Sequence, residues 1–235
     1  MNQDTREAII DHAQNEFPKE ACGLVVNIRG HERYMPCRNL AQNQTDFIMD
    51  PEDYARAEDA GDIIRVVHSH PNASPKPSQA DRVACEASGL PWSIVSMPGL
   101  SWADLEPSGY KAPLVGRSFC HGVLDCYSLI RDWYQQERGV TLLDFDRREE
   151  WWKKGEDMYF ENFQKAGFYK IDSKDVASGD VILMQVQSKV INHGGIYLGN
   201  NVILHHVIGR LSTREIYGGY WAKVTRMIIR YGGQS

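Results

Sequence analysis

The 235-residue sequence lacks several features that would each indicate a particular class of protein. No stretch approaches the roughly eighteen consecutive apolar residues of a membrane-spanning helix, and the N-terminus lacks the apolar run of a secretory signal. We therefore expect synthesis and folding in the cytoplasm, without stable membrane insertion. Lysine and arginine are scattered and the formal net charge is −5, which gives no reason to expect a nucleic acid as a partner.

The sequence has few cysteines and no low-complexity tract. Five cysteines are an odd number at irregular spacing, so the sequence predicts reduced thiols and not a disulfide scaffold. They are Cys22, Cys37, Cys85, Cys120 and Cys126. No internal repeat is present. What remains is the composition of an ordinary globular protein, 42% hydrophobic and 24% charged, with enough length for two domains of roughly 100 residues each.

Helix and strand patterns alternate over the first part of the chain, which predicts an α/β domain over residues 1–105. Helices are predicted at 5–17, 51–60 and 78–88, and strands at 21–28, 32–38, 62–68 and 92–97. The segment 106–117 contains two prolines and two glycines without clear periodicity, which is typical of a linker.

The remaining residues, 118–235, have the pattern of an α+β domain, with helices first and an antiparallel sheet afterwards. Helices are predicted at 125–138 and 158–166, and strands at 180–187, 195–198, 202–206 and 226–231. The expected fold class is therefore α/β followed by α+β, in two domains.

His68 and His70 stand at the end of a predicted apolar strand. Side chains alternate along a strand, so both imidazoles point to the same face and can bind one ion. Farther along, Ser78 to Asp81 has the pattern of a helix-capping box, which would direct the Asp81 carboxylate back toward the strand. Two imidazoles and one carboxylate leave a fourth tetrahedral position for water, the arrangement of a catalytic zinc site.

A zinc site of this kind also needs a general base, and Glu20 is a candidate if the strand after it lies near the histidines. The alternative is a surface histidine pair beside an ordinary helix cap. Together, the His-Ser-His-Pro sequence, the Ser78–Asp81 pattern and the upstream Glu20 resemble the motif of the JAMM (MPN/Mov34) metallopeptidases over about residues 1–100. Members of that family cleave isopeptide or related amide bonds. The resemblance implies zinc bound by His68, His70 and Asp81, with Glu20 as the base and Ser78 steadying the oxyanion.

Cys126 lies where turn-like residues give way to a helical pattern. A cysteine in the first helical turn is close to the positive end of the helix dipole, so we expect its pKa to fall toward thiolate formation. His193 and His205 flank a predicted hairpin centred near Gly199, which would place them nearly opposite each other. This predicts a nucleophile, a base and an orienting residue. The alternative is a small core cysteine and a polar hairpin surface.

The order of these features, together with the turn at Ser178–Asp180, resembles the NlpC/P60 family over about residues 110–210. That family comprises papain-like amidases that cut peptide bonds in bacterial cell-wall stems. One departure is that Tyr127 and Ser128 follow the cysteine, where the family commonly has Ser-Gly, and this bears on substrate preference more than on chemistry. His206 is expected to face away from the site.

A JAMM-like domain followed by an NlpC/P60-like domain resembles the phage tail tip assembly protein K family. The segments 126–134, 204–212 and 217–221 agree with that resemblance. It implies a thiol peptidase and zinc metallopeptidase at the virion tail tip, with hub and central fibre proteins as partners and peptidoglycan as substrate. The alternative is a structural tail tip component whose sites serve only metal binding and folding. A nucleophile beside a base favours the enzyme.

Overall fold

The computed structural model describes residues 1–147 and 150–233 of the chain. They form two compact units, Met1–Lys111 and Ala112–Ser235, each with its own hydrophobic core. Among the described residues, no helix has both the length and the apolar character needed to span a bilayer. The five cysteines are free thiols.

The first unit is a five-stranded sheet with helices on both faces. Its helices are α1 (Gln3–Glu16), α2 (Pro51–Ala60) and α3 (Gln79–Ser88), and its strands are β1 (Cys22–Ile28), β2 (His31–Cys37), β3 (Asp62–Pro71), β4 (Trp92–Met97) and β5 (Trp102–Leu105). The strand order is β2-β1-β3-β4-β5, with β3 and β4 parallel and the other pairs antiparallel. The mixed sheet confirms the α/β prediction. The short edge strand β5 was not predicted, because four residues carry little periodicity.

Alternation along the central strands divides the core of this unit between the two faces of the sheet. The cluster on the α1 face comprises Ile9, Ala13, Val25, Val67 and Val95. The cluster on the face of α2 and α3 comprises Leu24, Val26, Ala57, Val66, Cys85 and Trp92. Full burial of each larger apolar side chain contributes roughly 1.5–3 kcal/mol. The sheet is therefore held from both sides, and the end of β3 that carries the histidines is fixed within it.

The predicted linker is held at both ends in the structure. Glu86 of α3 accepts backbone hydrogen bonds from Ser108 at 2.6 Å, Gly109 at 3.1 Å and Tyr110 at 2.9 Å. At the other end, the Gly116 amide donates to the Ser212 carbonyl at 2.8 Å. Whether 106–117 acts as the boundary between independently folding domains stays a prediction, and only its middle part lies between these two anchors.

The second unit is an antiparallel sheet packed against helices. Its helices are α4 (Cys126–Arg138), α5 (Met158–Asn162) and α6 (Gly219–Val224), and its strands are β6 (Phe168–Ile171), β7 (Val181–Met184), β8 (His193–Gly199), β9 (Val202–His205), β10 (Thr213–Ile216) and β11 (Thr225–Tyr231). The strand order is β10-β9-β8-β7-β11-β6, antiparallel throughout. This confirms the α+β prediction.

Several elements of the second unit differ from the predicted pattern, including the helix α6, which was not predicted. The second helix ends at Asn162 and not at Ala166, because the chain turns through Gly167, at a φ of +86°, into the unpredicted strand β6. The other unpredicted strand, β10, is also short and lies at the opposite edge of the sheet. Edge strands bury only part of their side chains, so their apolar pattern is weak.

Helix α4 packs its buried face on the sheet at β8. Leu129 and Ile130 are at most 2% exposed and belong to the same core cluster as Leu183 and Ile196. The close approach depends on Gly194, since a Cβ there would lie 2.9 Å from the Ile130 Cδ1 atom. The N-terminal end of α4 is thereby placed beside the beginning of β8.

Candidate active sites

The ligand groups of the predicted zinc site converge at the end of β3. His68 Nε2 lies 3.1 Å from His70 Nε2 and 3.3 Å from Asp81 Oδ1, and His70 Nε2 lies 3.5 Å from Asp81 Oδ2. Asp81 is held by the capping box of α3, in which its carboxylate accepts the Ser78 amide at 2.6 Å and its own amide donates to Ser78 Oγ at 3.0 Å. The helix cap therefore aims the carboxylate at the two imidazoles.

These spacings fit a tetrahedral zinc ion. Two ligand atoms that each lie about 2.1 Å from a tetrahedral ion are about 3.4 Å apart, and the three separations here run from 3.1 to 3.5 Å. Phe47 packs on the His68 ring with 4.8 Å between centroids, which restrains its orientation. The donor set and its geometry both suit zinc, and three protein ligands leave the fourth tetrahedral position for water.

Glu20 lies beside this cluster because β1 pairs with β3. Cys22 is opposite His68 in the antiparallel register, and the Ala21 amide donates to Ser69 Oγ at 2.9 Å. The Glu20 side chain is buried, at 6% exposure. Burial, opposed by the positive charge of His70, raises the pKa of Glu20 to about 8. Its carboxyl can therefore take and return a proton near neutral pH.

The pKa values of the residues in this cluster depend on one another. Burial opposes ionisation of Asp81, but hydrogen bonds from His68 and His70 outweigh it and hold the pKa of the carboxyl well below its usual range. Burial lowers the pKa of His68. For His70 burial acts in the same direction, yet hydrogen bonds to Asp81 and the Ser74 carbonyl raise its pKa above the ordinary value. The result is an ionised carboxylate facing two imidazoles.

In the second unit, Cys126 and His193 line one cleft of about 630 Å³. Asp125 caps α4 by accepting the Ser128 amide at 2.8 Å, so Cys126 is the first residue of the helix. The Cys126 Sγ atom lies 3.2 Å from the Tyr159 hydroxyl. Much of the cleft wall is aromatic and comprises Phe119, Trp151, Trp152, Tyr159, Tyr220 and Trp221.

His193 Nε2 lies 3.0 Å from His205 Nδ1, but the predicted register of the hairpin is wrong. His205 pairs with Gly195 and is a diagonal neighbour of His193. The turn is formed by Asn200 and Asn201, both at positive φ, which is the pattern of a two-residue type I′ turn, and it is not centred near Gly199. The two rings still meet, because Gly195 has no side chain and a Cβ there would lie 2.9 Å from the His205 Cβ.

The expected fall in the pKa of Cys126 is also wrong. Burial, followed by the charge of the adjacent Asp125, raises the pKa of the thiol to about 11. Burial and repulsion by neighbouring histidines lower the pKa of His193 to about 3. Desolvation therefore favours the uncharged forms, and at neutral pH the cleft holds a thiol and a neutral imidazole.

Several residues at this site carried no recognisable sequence signal. Tyr159 of α5 reaches the cysteine, and Arg147 donates from Nε to Asp125 Oδ2 at 2.7 Å and from Nη2 to Ser128 Oγ at 3.2 Å. Burial would raise the pKa of Asp125, but Arg147 holds it below the ordinary value. Both residues come from segments outside the motif, so spacing could not identify them.

His206 occupies a different environment from that of the hydrogen-bonded histidine pair. It is fully buried, packs edge-on against Phe119 with 5.0 Å between ring centroids, and still contributes to the wall of the cleft. The prediction that His206 faces away from the site is therefore wrong, because it lines the same cleft as Cys126 and His193.

Comparison with known proteins identifies the family of each unit. The model of prokaryotic homologs of the JAB domain matches residues 2–104, and the NlpC/P60 family model matches residues 115–230. Over 234 residues the chain is 42% identical to tail tip assembly protein K of Escherichia phage N15, covering 98% of this chain and 96% of that protein.

The chain belongs to the tail tip assembly protein K family. Tail tip assembly protein K of Escherichia phage lambda is 39% identical over 183 residues, which cover 78% of this chain and 89% of that protein. A more distant relative, the CysO-cysteine peptidase of Mycobacterium tuberculosis, is 29% identical over 89 residues, covering 34% of this chain and 61% of that protein. The family prediction is confirmed. As a member of the K family, the protein combines a JAB-type domain with an NlpC/P60 domain, which supports a peptidase at this coarse level.

Proposed function

We propose that this tail tip assembly protein hydrolyses amide bonds in the stem peptides of peptidoglycan through Cys126, with His193 as the base and His205 as its orienting residue. The observation that carries the proposal is that Cys126 and His193 line one cleft, with His205 hydrogen-bonded to His193 at 3.0 Å. A structural tail tip component would have no need of a thiol, a base and an orienting residue in one cleft.

The resting state determines how the first step proceeds. Because the pKa of Cys126 is raised to about 11 and that of His193 is lowered to about 3, a preformed thiolate–imidazolium pair is disfavoured. His193 therefore accepts the thiol proton as sulfur attacks the substrate carbonyl carbon. The proton then passes from His193 to the leaving amine, and water hydrolyses the thioester by the same base.

The beginning of α4 suits the oxyanion that this attack creates. The first N–H groups of an α-helix have no partner within the helix, and Cys126 is the first residue of α4. Its amide is close to its own thiol, where the carbonyl oxygen of an attacked substrate would lie. The positive end of the helix dipole acts in the same direction.

The first unit has a second proposed site, of the isopeptidase type. His68, His70 and Asp81 would hold zinc, which when bound supplies a Lewis acid that polarises an amide carbonyl and acidifies water. Glu20 would take and return the proton, since its pKa of about 8 lies close to neutral pH. The Ser78 hydroxyl, which accepts the Asp81 amide, keeps its own proton available for an oxyanion. The similarity to a named peptidase supports amide hydrolysis here.

Membership of the K family supports a location at the virion tail tip, with action at the host cell wall. Within the tail we propose the hub and central fibre proteins as neighbours. The protein would be made in the host cytoplasm and delivered to peptidoglycan as part of the tail. Its cleft, walled by aromatic rings and open to the Cys126 thiol, would receive the stem peptide.

The deciding experiment is digestion of purified peptidoglycan by the full-length protein, with the fragments identified by mass spectrometry. We expect stem-peptide fragments from the wild type and from His68→Ala, and none from Cys126→Ala. If Cys126→Ala releases the same fragments as the wild type, the cysteine mechanism is wrong. If no protein releases fragments while Cys126 stays reactive toward iodoacetamide, the substrate assignment is wrong and the assembly role remains.

A further inference from the structure

A carboxylate on the edge strand β10 lies beside the histidine pair of the second unit. Glu215 of β10 places its Oε2 atom 3.7 Å from His205 Nε2. His205 is fully buried, and within the described part of the chain its Nε2 atom makes no hydrogen bond. Strand pairing explains the approach, since Thr213 of β10 is opposite His205 and Glu215 lies two residues farther along the same face. The carboxylate is thus the group that this buried nitrogen faces.

Glu215 is itself held in place from two sides. Trp221 Nε1 donates to Oε2 at 2.8 Å, and Arg210 Nη2 donates to Oε1 at 2.8 Å. The Trp221 ring also stands edge-on to His205, with centroids 4.5 Å apart, and lies 5.9 Å from the His193 ring. One tryptophan therefore fixes the carboxylate and covers both imidazoles.

The position of one proton follows from this chain of contacts. If His205 carries its proton on Nε2, facing Glu215, its Nδ1 atom must accept the hydrogen bond from His193 Nε2. His193 then has an unprotonated Nδ1 atom, which can take the Cys126 proton. If His205 were protonated on Nδ1 instead, it would donate to His193 Nε2, and the His193 proton would occupy Nδ1.

We propose that Glu215 is a positioning residue that holds the His205 proton on Nε2 and so keeps His193 Nδ1 free to act as the base. This inference rests on the proposed cysteine mechanism. Neutral histidines need such a partner, because the tautomer of each ring is set by the hydrogen bond that its other nitrogen makes. The negative charge of the same carboxylate also stabilises the positive charge that the histidine pair gains when it takes the Cys126 proton.

The charges around the pair agree with this role. His193 faces His205 and His206, and burial adds to their repulsion to lower its pKa to about 3. His205 faces Glu215 and Arg210; burial lowers its pKa, and the carboxylate acts against that change. Burial would raise the pKa of Glu215, but the hydrogen bond from Trp221 and the charges of His205 and Arg210 keep it below the ordinary value. Glu215 is thus ionised and supplies negative charge to the histidine pair.

The rate at which iodoacetamide alkylates Cys126 reports how well His193 removes the thiol proton, and it requires no substrate. In the full-length protein, Glu215→Gln removes the charge but keeps an acceptor oxygen, whereas Glu215→Leu removes both. Arg214→Gln changes the exposed neighbour on the same strand and is the matched control. At about pH 7 we expect labelling of the Cys126 peptide to be about tenfold slower in Glu215→Leu, less slowed in Glu215→Gln and unchanged in the control.

The pH profile separates positioning from a general structural effect. Toward about pH 10, where hydroxide removes the thiol proton without the histidine, the variants should approach the wild-type rate. Equal rates at every pH would overturn the inference, and so would a uniform loss at every pH, which would indicate a disturbed fold. If His193→Ala slows labelling but the Glu215 variants do not, only this inference fails. If His193→Ala has no effect either, the proposed cysteine mechanism fails.

A second measurement needs no variant that might fail to fold. Nuclear magnetic resonance of ring-¹⁵N-labelled histidine distinguishes the two neutral tautomers by their nitrogen shifts. In the wild-type protein at neutral pH we expect His205 protonated on Nε2 and His193 unprotonated on Nδ1. His205 protonated on Nδ1 would overturn the inference whatever the alkylation rates are.

Discussion

The two candidate sites of this protein are organised by opposite electrostatic means. In the first unit an ionised carboxylate, Asp81, faces His68 and His70, so negative charge and lone pairs are gathered at a point that suits a cation. In the second unit burial keeps Cys126 and His193 neutral, and charge arises only when a proton moves. The first site is organised by an ionised carboxylate, and the second by desolvation of its reacting groups.

This difference predicts how each site responds to change. The proposed zinc site would depend on its ligand count and should be sensitive to chelators. The cysteine site depends on burial and on the position of protons, and it should be sensitive to pH and to polar neighbours but not to metal. A variant that alters only one site would support this difference between them, and a variant that alters both would contradict it.

The largest effect is expected at the nucleophile and its base. Cys126→Ala and His193→Ala should each reduce peptidoglycan cleavage by on the order of a thousandfold or more, because members of such a triad act as a unit. His205→Ala should retain measurable activity, since an orienting residue contributes less. Initial rates of fragment release, measured by mass spectrometry, check this. Cys85→Ala, which changes a buried thiol in the other unit, is the control and should stay active.

Loss of the metal is the next largest effect. Protein purified without chelators should contain about one zinc per chain, and the double variant His68→Ala/His70→Ala should contain almost none by elemental analysis. Cys126→Ala should bind zinc like the wild type, because its thiol belongs to the other unit. Zinc content unchanged in the double variant would refute the ligand assignment, and zinc lost in Cys126→Ala would break the separation of the two sites.

The neutral, buried state of His193 should make the protein less stable in acid. Its pKa is lowered from 6.5 to about 3 on folding, so between these values the unfolded chain binds more protons than the folded one. The free energy of unfolding must then fall as the pH drops, by about 2 kcal/mol from about pH 7 to about pH 5. Chemical denaturation of the wild type and His193→Ala should show this difference in pH dependence.

The control for this measurement is the replacement of the exposed His31 by alanine. If His193→Ala and the wild type lose the same free energy between these two pH values, then His193 titrates alike in the folded and unfolded chains. The description of the cysteine site as one governed by burial would then be wrong.

The smallest effect concerns the segment between the two units. Lys111 is exposed and follows residues 108–110, which Glu86 ties to α3, so trypsin should cut after Lys111 before it cuts in the helices. Glu86→Ala should speed cleavage in this segment several-fold, by releasing the backbone it holds. Replacing the exposed Glu58 by alanine is the matched control. Resistance equal to that of the flanking helices in both variants would argue against a separable boundary at 106–117.

Much of the first site was predictable because its geometry is local. Two histidines at strand spacing share a face, and a capping box determines where Asp81 points, so neither relation needs the rest of the fold. The position of Glu20, in contrast, depended on tertiary structure, through the pairing of β1 with β3. The helix boundaries were predictable for the same reason, since Asp50, Ser78 and Asp125 each cap a helix at its N-terminus.

The second site shows what sequence patterns could not supply. The register of the hairpin depended on the two-residue turn at Asn200 and Asn201, and the contact between His193 and His205 depended on the missing side chain of Gly195. Glu215 reached His205 only because β10 pairs with β9. Each of these relations joins residues through strand pairing, which spacing along the chain does not specify.

Sequence patterns were enough to identify the two kinds of domain, their order and the residue types able to carry the chemistry. The tertiary structure alone decided the protonation states. The first helical turn predicted a thiolate at Cys126, but burial raises its pKa to about 11, because an ionised sulfur loses its hydration in the packed fold. Local pattern can place a functional group on a helix or strand. Only the packed fold determines how much water it keeps, and therefore which charge it carries.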